Sequence, residues 1–396
     1  MPKRVAFVVL MLAIPVVVAA GLYYSYRVLR ASAVKDLVIV EPRYWLANNS
    51  TLHKIVFWLT NRGPRPFHDS AKKALEQTLE VLAQSKGAEY RDNWLQVLTF
   101  VPIPAVSDNL LPNVRGRFVN TNDLGYRGTL NYRAQIAEAR KLKGDGFRIA
   151  ILTGGSAAFG TFSDDERTDI VGHLNQMSRD QGGKIRYYNF AMPSYTSAQE
   201  LNALVTYAAA LEPDLLIAFH GFDDALRLTE PGTYNVGIGV PYIYLSFRKS
   251  QTVFFRSEYL DRVYDVDKVT AEQEAEFLEH YRRNIRLMAK VMAGRGGTMI
   301  VATQPVRFFG SSCQGGQRST KFVENFRRFY PKMIESARDT SSAQKTGYLD
   351  LTAVFSGSGD RCREVFADAV HLTSYGQRVV ADRLHAAVTK TLAPPK

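Results

Sequence analysis

From Phe147 onward the sequence alternates short apolar runs with longer amphipathic segments, and this order is the strongest constraint on the fold. The apolar runs are rich in β-branched residues and too short for helices, so we predict five strands and five helices. The predicted strands span residues 148–153, 185–191, 214–219, 298–303 and 348–351, and the predicted helices span residues 166–179, 197–211, 271–293, 321–338 and 374–392. This alternation predicts a parallel sheet covered by helices on both faces.

The first predicted strand ends in two glycines and a serine, in the segment FRIAILTGGSAAFG at residues 147–160. Gly154 and Gly155 allow a tight turn, so we expect Ser156 to be exposed at the carboxyl end of the strand. Backbone N–H groups gather at such a strand-to-helix junction, where they can stabilise a developing negative charge. Ser156 is therefore a candidate nucleophile, although a turn serine or a helix cap fits the same pattern.

Other polar residues and glycines also follow predicted strands. Ser194, the segment from Gly221 to Asp224, and Gln304 each come just after a strand end. Ligands of open parallel sheets bind outside the carboxyl ends of the strands, so we expect these residues to meet at one rim. Gly155, Gly221, Asp224 and Gln304 are accordingly the candidate substrate-binding residues.

A polar pair precedes the last predicted helix, where Asp368 and His371 stand three residues apart. A serine nucleophile needs an imidazole as general base, and a carboxylate on the other ring nitrogen fixes the orientation of that imidazole. Asp368 and His371 can supply both groups. A helix-capping aspartate followed by a surface histidine would give the same two residues.

Four segments together resemble the sequence blocks of the SGNH hydrolases, the superfamily of GDSL esterases and lipases. These segments are GGSAAFG at residues 154–160, NFAMPSYTSAQ at residues 189–199, HGFDDA at residues 220–225 and DAVHLTSYG at residues 368–376. The upstream segment NTNDLGYRG, at residues 120–128, also resembles the lead into the first strand of bacterial members. The resemblance covers about residues 120–392.

The resemblance implies a flavodoxin-like three-layer α/β/α sandwich with a parallel sheet. It implies Ser156 as nucleophile, His371 as base and Asp368 as the partner of His371. The oxyanion hole would then combine Ser156 with residues at positions 194 and 223. The reaction would be ester hydrolysis or acyl transfer through an acyl-enzyme.

Two positions depart from the family pattern on the oxyanion side. Ser194 stands where the family has a glycine, so a backbone N–H remains but the conformational freedom of glycine does not. Asp223 stands where the family has an asparagine that donates to the oxyanion, and an ionised carboxylate donates no hydrogen bond. A neutral Asp223, a substitute donor such as His220, or an inactive site would each reconcile the change. Helix capping is the simpler explanation of Asp223 and Asp224.

Composition limits the partners of the chain. Its 396 residues are 46% hydrophobic, enough to bury a large core in one big domain or two modest ones. The net charge of +12 suits an anionic partner such as a membrane surface or an acidic polymer, or simply a solvated surface. Because zinc-finger, Walker and RNA-binding signatures are absent from the sequence, we expect no nucleic-acid partner. The residues imply no metal or organic cofactor. The oligomeric state stays open.

The first 30 residues have the pattern of a membrane segment. Lys3 and Arg4 precede an apolar run from Val5 to about Tyr24, roughly 20 residues, which can span a bilayer. A cleaved signal peptide is the alternative, because Ala19 and its neighbours offer a small-residue cleavage site. We expect a single-pass anchor in the inner membrane, with the rest of the chain in the periplasm or outside the cell.

Export also bears on the two cysteines of the chain, Cys313 and Cys362. An oxidising compartment favours a disulfide between them, and two unrelated buried thiols are the alternative.

Residues 31–130 are expected to form a spacer and a mostly helical extension, followed by a hydrolase-like domain at residues 131–396. Within the extension we predict a helix at residues 68–87, capped by Asp69 or Ser70, and a separate small module is the alternative. An aromatic-rich insertion at residues 227–268 follows the third strand. It would form a lid or a platform for sugar rings or acyl chains, unless it packs as core.

These patterns predict an anchored, exported esterase of the cell envelope that removes O-acyl or O-acetyl groups from a saccharide. The membrane and an acylated saccharide or lipid ester are the expected partners. The alternatives are an O-acyltransferase of the same fold, a lipid or lysophospholipid esterase, and a catalytically decayed protein that binds glycans or assists their assembly.

Overall fold

The computed structural model describes residues 66–98, 100–103, 107–229, 270–311, 313 and 320–393. The chain divides into two units, Met1–Arg62 and Gly63–Lys396, and the described residues all lie in the second. No helix within the described ranges is long and apolar enough to cross a bilayer. The predicted anchor at residues 5–24 lies outside those ranges.

Two helices and a hairpin precede the main sheet. They are α1 (Pro66–Lys86), α2 (Ala88–Val97), and the antiparallel strands β1 (Phe100–Ile103) and β2 (Ser107–Leu110). Proline suits the first position of a helix, where its missing N–H would have no helical partner. Since α1 begins at Pro66, the prediction that Asp69 or Ser70 caps this helix is wrong. The hairpin is hard to infer from sequence because Pro102 interrupts its first strand.

A five-stranded parallel sheet forms the centre of the fold. Its strands are β3 (Arg148–Gly154), β4 (Ile185–Asn189), β5 (Leu215–His220), β6 (Thr298–Thr303) and β7 (Gly347–Asp350). They pair in the order β4-β3-β5-β6-β7, the 2-1-3-4-5 order of flavodoxin-like sheets. The predicted parallel α/β fold is therefore confirmed. The strand order reverses between β3 and β5, and the crevice at this point lies beyond the strands' carboxyl ends.

Helices pack in two groups on this sheet. They are α3 (Tyr132–Gly144), α4 (Ser156–Phe159), α5 (Ile170–Asp180), α6 (Ser197–Thr206), α7 (Phe222–Thr229), α8 (Ala271–Ala293), α9 (Thr320–Ala343), α10 (Cys362–Val365) and α11 (Ser374–Leu392). Helix α5 packs on α11, whereas α8 packs against both α6 and α9. A parallel sheet between two helical layers is the predicted three-layer sandwich.

The predicted helix boundaries differ from the observed ones where local capping takes over. Helix α5 starts four residues later than predicted because the Asp169 side chain accepts a hydrogen bond from the Gly172 N–H, which caps the helix at that point. Helix α6 ends at Thr206, and a 3₁₀ turn at Ala208–Leu211 continues the segment. The spans of α8 and α11 agree with prediction.

Helix α2 of the extension contributes to the core next to the residues that follow β3. Tyr90, Trp94 and Val97 are fully buried. The Trp94 ring packs edge-on against Phe159 and Phe162, with ring centroids 6.4 Å and 5.9 Å away. The extension therefore supports the loop that directly follows Ser156.

Candidate active site

Ser156 lies where β3 gives way to the short helix α4, at the reversal point of the sheet. Gly154 has a φ of +150°, and a methyl group at that position would overlap the carbonyl oxygen of Phe219 on the neighbouring strand. The chain can make this close approach only with glycine. The turn brings Ser156 to the carboxyl end of the sheet, as predicted from the glycine pair.

His371 and Asp368 lie in the loop before α11, and an isolated bridge between Phe366 and Leu372 closes this loop. The His371 Nε2 atom lies 2.8 Å from the Ser156 Oγ atom. On the other side of the ring, Nδ1 lies 2.6 Å from Oδ2 of Asp368. The structure thus brings together three residues that are up to 215 positions apart in the sequence.

The second oxygen of Asp368 fixes the loop itself, accepting hydrogen bonds from the Val370 and His371 N–H groups at 2.8 Å each. Burial raises the pKa of Asp368, but the His371 imidazole and these two N–H groups outweigh it, so the pKa lies below the ordinary value. Asp368 therefore remains a carboxylate at neutral pH and can accept the His371 N–H.

Phe162 packs against the His371 ring, although the sequence motifs do not single it out. The two rings meet edge to face with centroids 5.1 Å apart. Phe162 adopts a φ of +70°, an uncommon conformation for a bulky residue. The Tyr90 hydroxyl donates a 2.7 Å hydrogen bond to the Phe162 carbonyl and anchors this strained residue to α2. Only the positive φ, which no sequence pattern reveals, marks the position as special.

Arg127, from the NTNDLGYRG segment, binds the loop at residues 160–163 that follows α4. Its buried guanidinium pairs with Asp169 at 2.7 Å and donates to the Gly160 carbonyl at 3.0 Å and to the Ser163 Oγ atom at 2.7 Å. Burial raises the pKa of Asp169 to about 6 even though Arg127 opposes the shift. The segment thus contributes to the site by holding the end of the α4 turn.

Ser194 occupies a turn that glycine would fit best. The Tyr195 N–H donates to the Met192 carbonyl at 3.1 Å, Pro193 is the second residue of this turn, and Ser194 has a φ of +67°. Proline followed by a residue with positive φ is the pattern of a type II turn, which favours glycine at its third position. The backbone keeps the left-handed conformation required there despite the serine side chain.

Asp223 lies beside Gly155, the residue that precedes Ser156. A methyl group on Gly155 would overlap Oδ2 of Asp223, so the carboxylate rests against the Gly155 backbone. Asp223 is buried in the first turn of α7. A carboxylate therefore occupies the side of Ser156 where the family resemblance places an amide donor.

The remaining predicted rim residues are buried. Asp224 is buried, and its oxygens accept hydrogen bonds from the Ser197 N–H and Oγ–H at 3.0 Å and 2.7 Å. Gln304 is buried, and its main-chain carbonyl accepts a hydrogen bond from the Tyr330 hydroxyl. Gly221 has a φ of +114° and packs beside the Tyr330 ring. His220 is buried against Glu200.

The predicted disulfide is present between Cys313 and Cys362, with Cα atoms 5.5 Å apart. It joins the segment after β6 to the start of α10, close to the loop that carries Asp368 and His371. Residues 230–269, which include most of the predicted aromatic insertion, lie outside the described residues.

A serine, a histidine and a carboxylate in this contact order on a parallel α/β sheet form the arrangement of serine-dependent hydrolases. The chain belongs to the GDSL-like lipase/acylhydrolase family, whose family model matches residues 144–384. The chain is accordingly an ester hydrolase by family. No curated protein matches it in sequence.

Several solved structures are similar to the chain at low sequence identity. The acetyl xylan esterase AlAXEase is 13% identical, with a TM-score of 0.40 over 61% of this chain and 99% of the esterase. An acetylxylan esterase from Geobacillus stearothermophilus, solved as a catalytic mutant, is 14% identical, with a TM-score of 0.39 over 61% of this chain and 94% of its own. A GDSL-like lipase from Bacteroides thetaiotaomicron is 14% identical, with a TM-score of 0.39 over 66% and 99% of the two chains.

Proposed function

We propose that Ser156, His371 and Asp368 form the catalytic triad of a serine esterase that works through an acyl-enzyme. One observation carries this proposal, namely the continuous series of contacts from Ser156 Oγ through the His371 ring to the Asp368 carboxylate, at 2.8 Å and 2.6 Å. These distances are within hydrogen-bond reach for a nucleophile, its general base and the group that orients the base.

The contacts suggest how each half-reaction would proceed. Nε2 of His371 takes the Ser156 hydroxyl proton while Oγ attacks the ester carbonyl, and the imidazolium then protonates the departing alcohol. Water, deprotonated by the same nitrogen, hydrolyses the acyl-enzyme. Asp368 accepts the Nδ1–H hydrogen bond and stabilises the imidazolium in both steps.

Backbone groups are the oxyanion donors that we assign. The Ser156 N–H lies at the start of α4, and the Ser194 N–H lies in the turn that the Tyr195 N–H closes onto the Met192 carbonyl. Asp223, as an ionised carboxylate, would oppose the developing charge. We therefore propose an active esterase whose rate is limited on the oxyanion side.

The substrate that we propose is an O-acetyl or short O-acyl ester on a saccharide of the cell envelope. Support comes from the sequence, namely the apolar segment at residues 5–24, the aromatic insertion at residues 227–268 and the net charge of +12. The first feature suits a membrane-anchored, exported enzyme. Aromatic faces suit sugar rings, which stack on them.

Labelling with a fluorophosphonate probe tests the triad. The purified full chain should gain one adduct by intact mass, and peptide mapping should place it on Ser156. Labelling should vanish in Ser156→Ala and His371→Ala but persist in His280→Ala, a variant of a half-buried histidine on α8 that pairs with Glu276. A folded wild-type protein that does not label at any pH from about 6 to about 9 would overturn the proposal.

Substrate class is tested separately by comparing acetylated oligosaccharides, a long-chain p-nitrophenyl ester and a lysophospholipid. The proposal predicts the highest kcat/KM for the acetylated oligosaccharide, with acetate released in a Ser156-dependent manner. Preference for either lipid-like substrate would overturn the saccharide assignment while leaving the triad intact.

A further inference from the structure

A second polar cluster lies in the core behind the oxyanion loops. Glu200 on α6, His220 at the end of β5 and Asp224 on α7 are all buried, with exposures of 0%, 2% and 5%. Each offers a ligand atom, and these atoms all lie within 4.8 Å of one another. The cluster is separate from the contacts of Ser156, His371 and Asp368.

Several polar atoms in this cluster have no hydrogen bond. Both ring nitrogens of His220, Oε1 of Glu200 and the Tyr281 hydroxyl are buried without a hydrogen-bond partner. The His220 and Tyr281 ring centroids are 5.3 Å apart. A buried polar atom without a partner is costly, so several at one place indicate a bound species that satisfies them.

The geometry between His220 and Glu200 favours an ion over a direct hydrogen bond. Nδ1 of His220 lies 3.3 Å from Oε1 of Glu200, yet the two atoms make no hydrogen bond. Their separation is close to the spacing of neighbouring donors around one tetrahedral ion, roughly 3.3 Å for metal–ligand bonds near 2 Å. Two donors that are close but not directed at each other can both point at a third position.

Charge balance points the same way. Among the described residues neither carboxylate of the cluster pairs with lysine or arginine, so His220 is the one cationic partner that the cluster itself offers them. A water molecule adds no charge, and a proton on His220 offsets only one carboxylate. A divalent cation neutralises both carboxylates and uses the imidazole as a neutral ligand.

We propose that Glu200, His220 and Asp224 bind one divalent metal ion with the ligand preference of Zn²⁺. One imidazole and two carboxylates form a ligand set for first-row ions such as Zn²⁺, whereas Ca²⁺ and Mg²⁺ prefer oxygen ligands only. Polar neighbours hold the ligands: Thr153 donates to Oε2 of Glu200 at 2.9 Å, and the Ser197 hydroxyl donates to Asp224. Such outer contacts hold the coordinating side chains in place in known metal sites.

The ion would join three elements that surround the oxyanion side. Helix α6 begins directly after the Ser194 turn, and β5 leads through Gly221 into the turn that carries Asp223. A metal that links them would stabilise the fold at this point, without taking part in the ester chemistry. The proposal is therefore independent of the triad and of the substrate.

Metal analysis of the full chain, purified without a histidine tag and without chelator, tests the site. We expect about one Zn²⁺ per chain by inductively coupled plasma mass spectrometry. After removal of the metal, Co²⁺ should bind with visible d–d absorption and raise Tm. In His220→Gln the metal content should fall roughly tenfold or more, because one of three protein ligands is lost.

His385→Gln is the matched control, since His385 is another buried histidine but bonds to Gln181, the residue that follows α5. It should retain the wild-type metal content. If His220→Gln does not fold, Glu200→Gln and the wild-type cobalt spectrum still decide the question. A wild-type protein without metal, in which Co²⁺ gives neither absorption nor a Tm shift, would overturn the proposal and leave an ion pair of protonated His220 with Glu200.

Discussion

The proposed site around Ser156 has a base side, with His371, Asp368 and Phe162, and a proposed oxyanion side, with the Ser156 N–H, Ser194 and Asp223. On the base side every polar contact matches what a serine nucleophile needs, at 2.8 Å and 2.6 Å. On the oxyanion side a serine holds a left-handed turn and a carboxylate lies against Gly155. The two sides of one nucleophile thus differ in how closely they follow the family pattern.

The difference shows which half of such a site tolerates change. The base side depends on two side chains three residues apart in one loop, so a change there removes the base or its orientation. The oxyanion side draws on three separate loops, and backbone N–H groups survive a change of side chain. In the proposed site, Ser194 and Asp223 can therefore depart from the family pattern while the contacts of Ser156 with His371, and of His371 with Asp368, are kept.

The largest expected effect is on the base side, in Asp368→Asn. The amide would hold the His371 ring in the wrong tautomer, so we expect kcat to fall by about 10⁴-fold with KM little changed. Steady-state hydrolysis of p-nitrophenyl acetate measures this loss. Asp382→Asn, a change of an exposed aspartate on α11, should leave kcat unaltered. A loss below about tenfold in Asp368→Asn would mean that the carboxylate does not orient the base.

On the oxyanion side, Asp223→Asn should act in the opposite direction. The substitution replaces a repelling carboxylate with an amide donor next to Gly155, so we expect kcat to rise by about 10²-fold to 10³-fold. Rates of acyl-enzyme formation would show the gain, and Ser156→Ala in the same background should abolish it. A fall in kcat would instead mean that Asp223 donates a hydrogen bond as a neutral acid in the wild-type enzyme, and the contrast between the two sides would then disappear.

The sequence was sufficient to predict the parallel sheet and the contacts of the base side. The strands are continuous apolar runs, and Ser156, Asp368 and His371 stand in short segments with a strong family resemblance. The sequence does not reveal Phe162 or Tyr90, because their roles depend on a positive φ and on a hydrogen bond between residues 72 positions apart. Asp224 was expected at the rim, but its side chain is buried and accepts a hydrogen bond from the Ser197 hydroxyl. Asp224 lies in the first turn of α7, and the sequence does not show which face of that turn is buried.

A smaller effect should follow from Tyr90→Phe, which tests whether α2 supports the base side. The variant removes the donor to the Phe162 carbonyl and leaves a buried acceptor unsatisfied, so the free energy of unfolding should fall by about 1–3 kcal/mol. If the strained Phe162 orients His371, kcat should also fall several-fold while KM stays constant. Denaturant titration and steady-state kinetics measure the two effects. A loss of stability with unchanged kcat would limit α2 to a structural role.

The smallest expected effect is that of Ser194→Gly. A non-glycine residue in the left-handed region costs about 1–2 kcal/mol, and the greater freedom of glycine in the unfolded chain offsets about 0.5–1 kcal/mol of that cost. The free energy of unfolding of the variant should therefore be up to about 1.5 kcal/mol higher than that of wild type, as measured by denaturant titration.

Glu212→Gly provides the matched control for this variant, because Glu212 also has a positive φ, of +51°, but lies in the turn before β5, at the opposite end from Ser156. Both variants should gain stability, and only Ser194→Gly should alter kcat. The change in kcat should stay within a few-fold because the Ser194 N–H that we assign to the oxyanion is retained in glycine. If Ser194→Gly lowers kcat as strongly as loss of an oxyanion donor, about 10²-fold or more, then the serine side chain itself acts on the oxyanion. In that case the oxyanion side would use a side-chain donor at position 194. Backbone N–H groups alone would then not explain why this side can differ from the family pattern.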